Sequence, residues 1–305
     1  MTLSTRLTQR FDIAHPIISA PMAFAAGGRL AAAVTSAGAL GLIGGGYGFI
    51  TWSLRTRPEL LEQVLAYRPR AIFLSFGNPQ PFVSTIKAAG AALICQVQTR
   101  RDAEHALDCA ADVIVAQGSE AGGHGEKRAT FTLVPEVADL IAAQSPQTLL
   151  CAAGGIADGR GLAAALTLGA DGVLVGSRLW ASPEANASPR MHAAAIAATG
   201  DDTVRSQVMD LARKLDWPSR YTARVLRNAF IERWHGREDE LLAVADEEAA
   251  KYRAAWAEGD PDRSNTFVGE VAGLIRTIQP VRDIIDGMVR EAEALLRGGT
   301  RFCVG

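Results

Sequence analysis

The chain has 305 residues, a formal net charge of −2 and 48% apolar residues. That composition suits one large α/β domain or two smaller ones and excludes a disordered chain. The near balance of charge, with no block of one sign, offers nothing to nucleic acid or to an anionic membrane surface.

Along the first part, strand and helix patterns alternate. Strands are expected at 16–22, 40–45, 49–54, 70–76, 92–97, 112–117, 148–153 and 172–175. Helices are expected at 28–37, 58–67, 81–89, 101–110, 134–144 and 159–168. The uncharged stretch 30–54 is long enough to span a bilayer, but glycines from Gly38 to Gly48 interrupt it, so it reads as a helix and two buried strands. Alternation of this kind predicts an α/β fold with a parallel sheet, and eight strands predict closure into a (β/α)8 TIM-type barrel. One link departs from the pattern. Strands two and three are joined only by Gly46-Tyr47-Gly48, whereas a parallel crossover takes about a dozen residues. The crossover between strands 2 and 3 is therefore expected to be missing, unless 40–54 is one bent strand or a segment is absent from the sequence.

Beyond residue 182 charge becomes denser and the pattern turns helical, at 187–198, 202–215, 222–234, 239–258 and 267–297, the last broken at Pro280. Residues 183–265 are expected to form an inserted α-helical subdomain covering the site. Residues 1–182 plus about 266–298 would form the barrel, with 284–296 as its eighth helix.

Chemistry concentrates in Gln117-Gly-Ser-Glu-Ala-Gly-Gly-His-Gly125, directly after an apolar strand. Such strand ends are where barrels place their sites. Gly122, Gly123 and Gly125 permit close approach to a ligand, and His124 is suited to proton transfer near neutral pH. Two glycine turns, Ala152-Ala-Gly-Gly-Ile156 and Val175-Gly-Ser-Arg178, follow strands seven and eight. They read as a phosphate site built from backbone amides, with Asp158 as the N-cap of the next helix; the plainer reading is that Gly154 and Gly155 only tighten a turn. Met22, closing Ser19-Ala-Pro-Met22, could lie against a flat ring or belong to the core. Gln117 is expected at the site, while Gln96, Glu120 and Arg178 stand open between site and rim. The four scattered cysteines, Cys95, Cys109, Cys151 and Cys303, fit free thiols in a reducing, cytoplasmic setting. Five widely spaced histidines give no local metal motif. No protein nucleophile accompanies His124, so the hard chemistry is assigned to a cofactor with one phosphate and a planar redox ring, flavin mononucleotide (FMN).

Taken together, Pro16-Ile-Ile-Ser-Ala-Pro-Met22, Gly41-Leu-Ile-Gly-Gly-Gly46, the run from Gln117 to His124, Ala152 to Arg160 and Gly169 to Ser177 resemble the nitronate monooxygenase family, FMN-dependent (β/α)8 enzymes with an added helical domain. The resemblance covers residues 10–182 well and the remainder loosely. It implies that His124 is the active-site base and that Pro21, Met22, Gln117, Gly122, Gly155, Gly176 and Ser177 contact flavin. Ala20, Gly123 and Gly154, beside them in the same turns, complete the expected cofactor set. It further implies oxidation of alkyl nitronates or nitroalkanes by dioxygen. The alternatives are an NAD(P)H-dependent flavin reductase acting on a quinone or enoyl thioester, and a non-redox barrel holding a sugar phosphate. Monomer and homodimer both remain open. Members usually carry a helix where this chain has only residues 46–48. Their next strand usually offers a polar group near the flavin, and here it reads Phe49-Ile-Thr-Trp52.

Overall fold

A computed structural model describes residues 3–44 and 48–299 of the chain. Ten strands are present among them: β1 Ile17–Ser19, β2 Gly48–Ile50, β3 Ala71–Ser75, β4 Ala92–Val97, β5 Val113–Gln117, β6 Gly123–Gly125, β7 Leu149–Ala153, β8 Gly172–Val175, β9 Thr203–Ser206 and β10 Thr222–Leu226. Seven of them form one parallel sheet in the order β1-β8-β7-β5-β4-β3-β2. Strands such as β3, β5 and β7 are buried at every position. Helices clothe the outside of the sheet, so both faces of each strand must be apolar, which is why these strands read as unbroken Val/Ile/Leu/Ala runs.

The sheet curls into an α/β fold of the TIM type. On the side between β1 and β2, the segment after Ala39 makes only isolated parallel bridges, Leu40 to Ile18 and Gly44 to Gly48. The expected strand 40–45 is thus reduced to two bridges. Of the link 46–48 expected to lack a crossover, residues 46 and 47 lie outside the described residues, while Gly48 opens β2. The expected strand 49–54 is shorter than anticipated. Ile50 pairs with Ser75, the last residue of β3. Beyond it β3 has turned away, so Thr51–Leu54 has no ladder to join and winds into a short helix.

The C-terminal helix Val281–Arg297 begins after Pro280, as expected, and packs against the helices Gly159–Thr167 and Gly28–Ser36. It therefore fills the gap between the crossover after β7 and the first crossover of the chain. Its apolar residues Ile284, Ile285, Met288 and Val289 join the core beneath the sheet.

Residues 183–265 are not wholly helical. Two of the expected helices, 202–215 and 222–234, contain β9 and β10, with short helices Val208–Ala212 and Ala229–Trp234 beside them. These strands pair antiparallel with each other, and β10 pairs with β6, placing Ala223 opposite His124. The helix period was the wrong one because a partner far along the chain stabilises the strands. The segment 267–297 likewise splits into a 3-10 turn, Glu270–Leu274, and the C-terminal helix. Among the described residues, no helix is long and apolar enough to cross a membrane.

Candidate active site

The glycine turns named above converge at the carboxyl ends of the parallel strands. Ala20 N–H donates to Val175 O at 2.9 Å, holding the ends of β1 and β8 together. A Cβ on Gly176 would lie 3.5 Å from Ala20 Cβ and 3.8 Å from Met22 Sδ. The β5 and β7 ends are joined in the same way, Gly118 N–H donating to Ala153 O at 2.9 Å. Gly154 and Gly155 both lie in the left-handed region, at φ 95° and 75°, which a side chain would resist. Ser177 Oγ accepts from Gly269 N–H at 2.9 Å, and a Cβ on Gly122 would stand 2.7 Å from that same nitrogen. Gly122, Ser177 and Gly269 therefore form one packed junction, whereas Gly123 (φ 77°) faces open space. Pro21 packs against the backbone of Gly48.

Gln117 is engaged within the protein itself. Its Oε1 accepts from Gln96 Nε2 at 3.0 Å and from Gln98 Nε2 at 2.9 Å, and its Nε2 donates to His124 O at 3.1 Å. Gln96 at the end of β4, Gln98 just beyond it and Gln117 closing β5 thus hold the histidine strand in place. Glu120 accepts from Thr130 N–H and Oγ–H, capping the helix Thr130–Gln144. Arg178 donates to Thr277 O at 3.0 Å and to Gln279 Oε1, so it ties the rim to the segment before the C-terminal helix.

The His124 ring is enclosed. Its Nε2 lies 2.7 Å from Asp210 Oδ2. Trp217 stacks on its face, with centroids 3.5 Å apart and planes inclined by 6°. Phe76 meets it edge-on at 6.2 Å, and Phe76 in turn packs on Trp217 and Tyr221. Phe76 holds φ 61° at the end of β3. A bulky residue there is strained, and the aromatic cluster supplies the packing that retains it. Burial pushes the His124 imidazole below the usual histidine value, helped by Arg213 and Arg205 and opposed by Asp210. Arg205, half-buried beside Arg224, is lowered to about 10 by that desolvation and the neighbouring charge. Sequence reading missed Asp210, Trp217, Phe76 and Gln98. Asp210 lies 86 residues from His124, and no local signal links the two.

Trp217→Ala should raise the His124 pKa towards its ordinary value of 6.5, because the stacked indole is part of what keeps water from the ring. A histidine whose native value is lowered favours the fold above about 6.5, and that contribution is lost as pH falls through the native value. An NMR titration with an unmoved midpoint in the variant would contradict this.

The phosphate reading can be tested against the backbone. The helix Gly159–Thr167 is not available to a phosphate at its N-terminus. Asp158 accepts from Arg160 N–H and Gly161 N–H, and Glu291 accepts from Gly159 N–H. By contrast, the amides of Gly154, Gly155, Ser177 and Arg178 donate to no protein group among the described residues. Amides left unpaired beside glycines fit an anionic ligand. Two further polar atoms at the end of β2, Thr51 Oγ1 and Trp52 Nε1, are buried without a partner among the described residues.

A family model described as nitronate monooxygenase matches residues 52–291. The chain belongs to this family. Its members are flavin-dependent oxidoreductases, and the chain is an enzyme of that kind. The nitronate monooxygenase of Neurospora crassa is 31% identical over 92% of this chain and 90% of its own length. That alignment spans 346 positions, more than the 305 residues here, so the relative carries segments that this member of the family lacks. Among solved structures, FabK of Thermotoga maritima matches with a TM-score of 0.83 at 31% identity, over 99% of this chain and 100% of that one. A nitroalkane oxidase of Streptomyces ansochromogenes matches with a TM-score of 0.76 over 96% and 99% of the two chains; at 20% identity this shows a common fold.

Proposed function

We propose that this family member binds FMN and oxidises alkyl nitronates or nitroalkanes with dioxygen, with His124 as the base. The observation that carries the reading is the histidine loop packed against glycine turns whose amides have no partner among the described residues. The amides of Gly154, Gly155 and Ser177 would hold the phosphate, where glycine keeps side chains out of the way. Ala20, Pro21, Met22, Gly122, Gly123 and Gly176 would border the ring system, with Met22 Sδ beside the Gly176 turn. Thr51 Oγ1 and Trp52 Nε1 join these as buried polar atoms at the end of β2 without a partner among the described residues. When bound, FMN supplies the two-electron chemistry that couples the substrate to dioxygen.

The protein's own part is proton transfer and exclusion of water. A lowered imidazole pKa keeps His124 neutral, hence able to accept a proton, across the neutral range. The aromatic enclosure of Phe76, Trp217 and Tyr221 favours an apolar substrate chain. Residues 183–265 would act as a cap over the barrel of residues 1–182 plus about 266–298. The buried free thiols Cys95, Cys109 and Cys151 support a reducing, cytoplasmic setting.

The test is an absorbance spectrum of the purified protein, followed by oxygen uptake with a nitronate and anaerobic mixing with NADH. A yellow protein releasing FMN and consuming oxygen with the nitronate is expected. Flavin bleaching by NADH, without nitronate-dependent uptake, would give the reductase reading instead. A colourless protein that takes up no added FMN would leave the sugar-phosphate barrel.

A further inference from the structure

Resting on the proposed role of His124 as base, we infer that Asp210 is its positioning residue. It fixes the imidazole as the Nε2–H tautomer and leaves Nδ1 to take the substrate proton. The deduction is one of donors and acceptors. Asp210 Oδ1 accepts from Arg213 at 2.7 Å, and Oδ2 lies 2.7 Å from His124 Nε2. A carboxylate shared in this way offers only lone pairs, so Nε2 must carry the hydrogen. A neutral imidazole has one N–H, which leaves Nδ1 bare. Nδ1 has no hydrogen-bond partner among the described residues and is not one of the buried orphan atoms.

The carboxylate is well anchored. Asp210 is 2% exposed. Its backbone N–H donates to Gln207 O and its carbonyl accepts from Leu215 N–H, both at 2.9 Å. The ring it orients is clamped on one face by Trp217, and its backbone by Gln117. The other charges acting on the ring are Arg213 and Arg205, with the Tyr221 phenol behind Phe76. In the step this serves, the α-carbon C–H bond of a neutral nitroalkane breaks. The proton goes to Nδ1 and the electron pair stays on the substrate as the nitronate. The imidazolium so formed keeps its Nε2–H on Asp210, whose negative charge stabilises it, and Nδ1 returns its proton to solvent.

Asp210→Asn and Asp210→Glu test this in the flavin-loaded enzyme, each assayed with a neutral nitroalkane and with its preformed nitronate. For Asp210→Asn, kcat/KM on the nitroalkane should fall on the order of 10²-fold. On the nitronate, which has no proton to lose, it should stay within about threefold. The acid limb of the nitroalkane profile should move to lower pH, because the carboxylate that favours the imidazolium is gone. Asp210→Glu should recover part of the loss. Equal losses on both substrates with an unmoved pH profile would overturn the inference and leave Asp210 a structural role. Histidine ¹⁵N shifts of the unsubstituted enzyme decide independently of any variant's folding. A protonated Nε2 and bare Nδ1 at His124 are expected, and the opposite tautomer overturns the assignment. His124→Asn separates the two layers. Undiminished nitroalkane turnover in it removes the base itself, whereas its loss beside an unaltered Asp210→Asn removes only the role given to Asp210.

Discussion

His124→Asn should lose nitroalkane turnover by roughly 10²- to 10⁴-fold, the usual share of a positioned general base, while the purified variant keeps its flavin. Asparagine is smaller than histidine and stops short of the position of Nε2, so Asp210 keeps only its bond from Arg213, which still balances the carboxylate. The backbone of β6 is held independently, by Gln117 on one side and by β10 on the other. The proposed cofactor turns at Gly154 and Gly176 contain no part of this side chain. Chemistry and cofactor binding should therefore separate cleanly. Steady-state oxygen uptake, with the flavin absorbance of the same sample, reads both. A variant that still deprotonates nitroalkanes at the original rate would refute the assignment.

Gly154→Val should lose most of its bound flavin and melt several degrees lower. Gly154 lies at φ 95°, where a β-branched residue is strained by about 1–3 kcal/mol. Its Cβ would also stand 2.9 Å from Gly118 O, 3.0 Å from Thr130 Oγ1 and 3.1 Å from Ala121 N. Two of those atoms are backbone, and Thr130 is held by Glu120. The turn has to shift, and the unpaired amides of Gly154 and Gly155 shift with it. A fair control is Gly287→Ala in the C-terminal helix, where a Cβ meets nothing within 4 Å. That change should be neutral or stabilising by about 0.5–1 kcal/mol. Equal flavin content in the two variants would count against the cradle.

Much of the barrel is legible in the sequence because its information is local. Strands β4 and β8 are where the apolar runs placed them, and β3, β5 and β7 differ from expectation by a residue at their ends. A strand buried on both faces has no choice of pattern. Asp158 at the N-cap follows from one residue and its neighbours, and it holds. The histidine loop is a different matter. Gly123-His-Gly125 reads as a flexible turn, yet it is a strand, because Thr222, Ala223 and Arg224 supply its partner. Nothing in three residues announces a ladder completed about a hundred residues later. Thr203-Val-Arg-Ser206 was read as helix for the same reason. The glycines and the histidine stand out in the sequence as candidates for chemistry, but Asp210 and Trp217 do not, since an ordinary acid and an ordinary indole acquire meaning only through the ring they touch.

The placement of His124 on β6 has a further effect. The imidazole hangs from the barrel through Gln117, yet its strand is knitted to β10 and its ring is bracketed by Asp210 and Trp217. On the proposed reading, the part of the chain that would shape the substrate's space and the part that would set the basicity of the proton acceptor are thereby one piece. Changes that reshape this cover to admit a bulkier molecule would then also retune the proposed acid–base centre, so substrate range and pH optimum would drift together among descendants of this sequence.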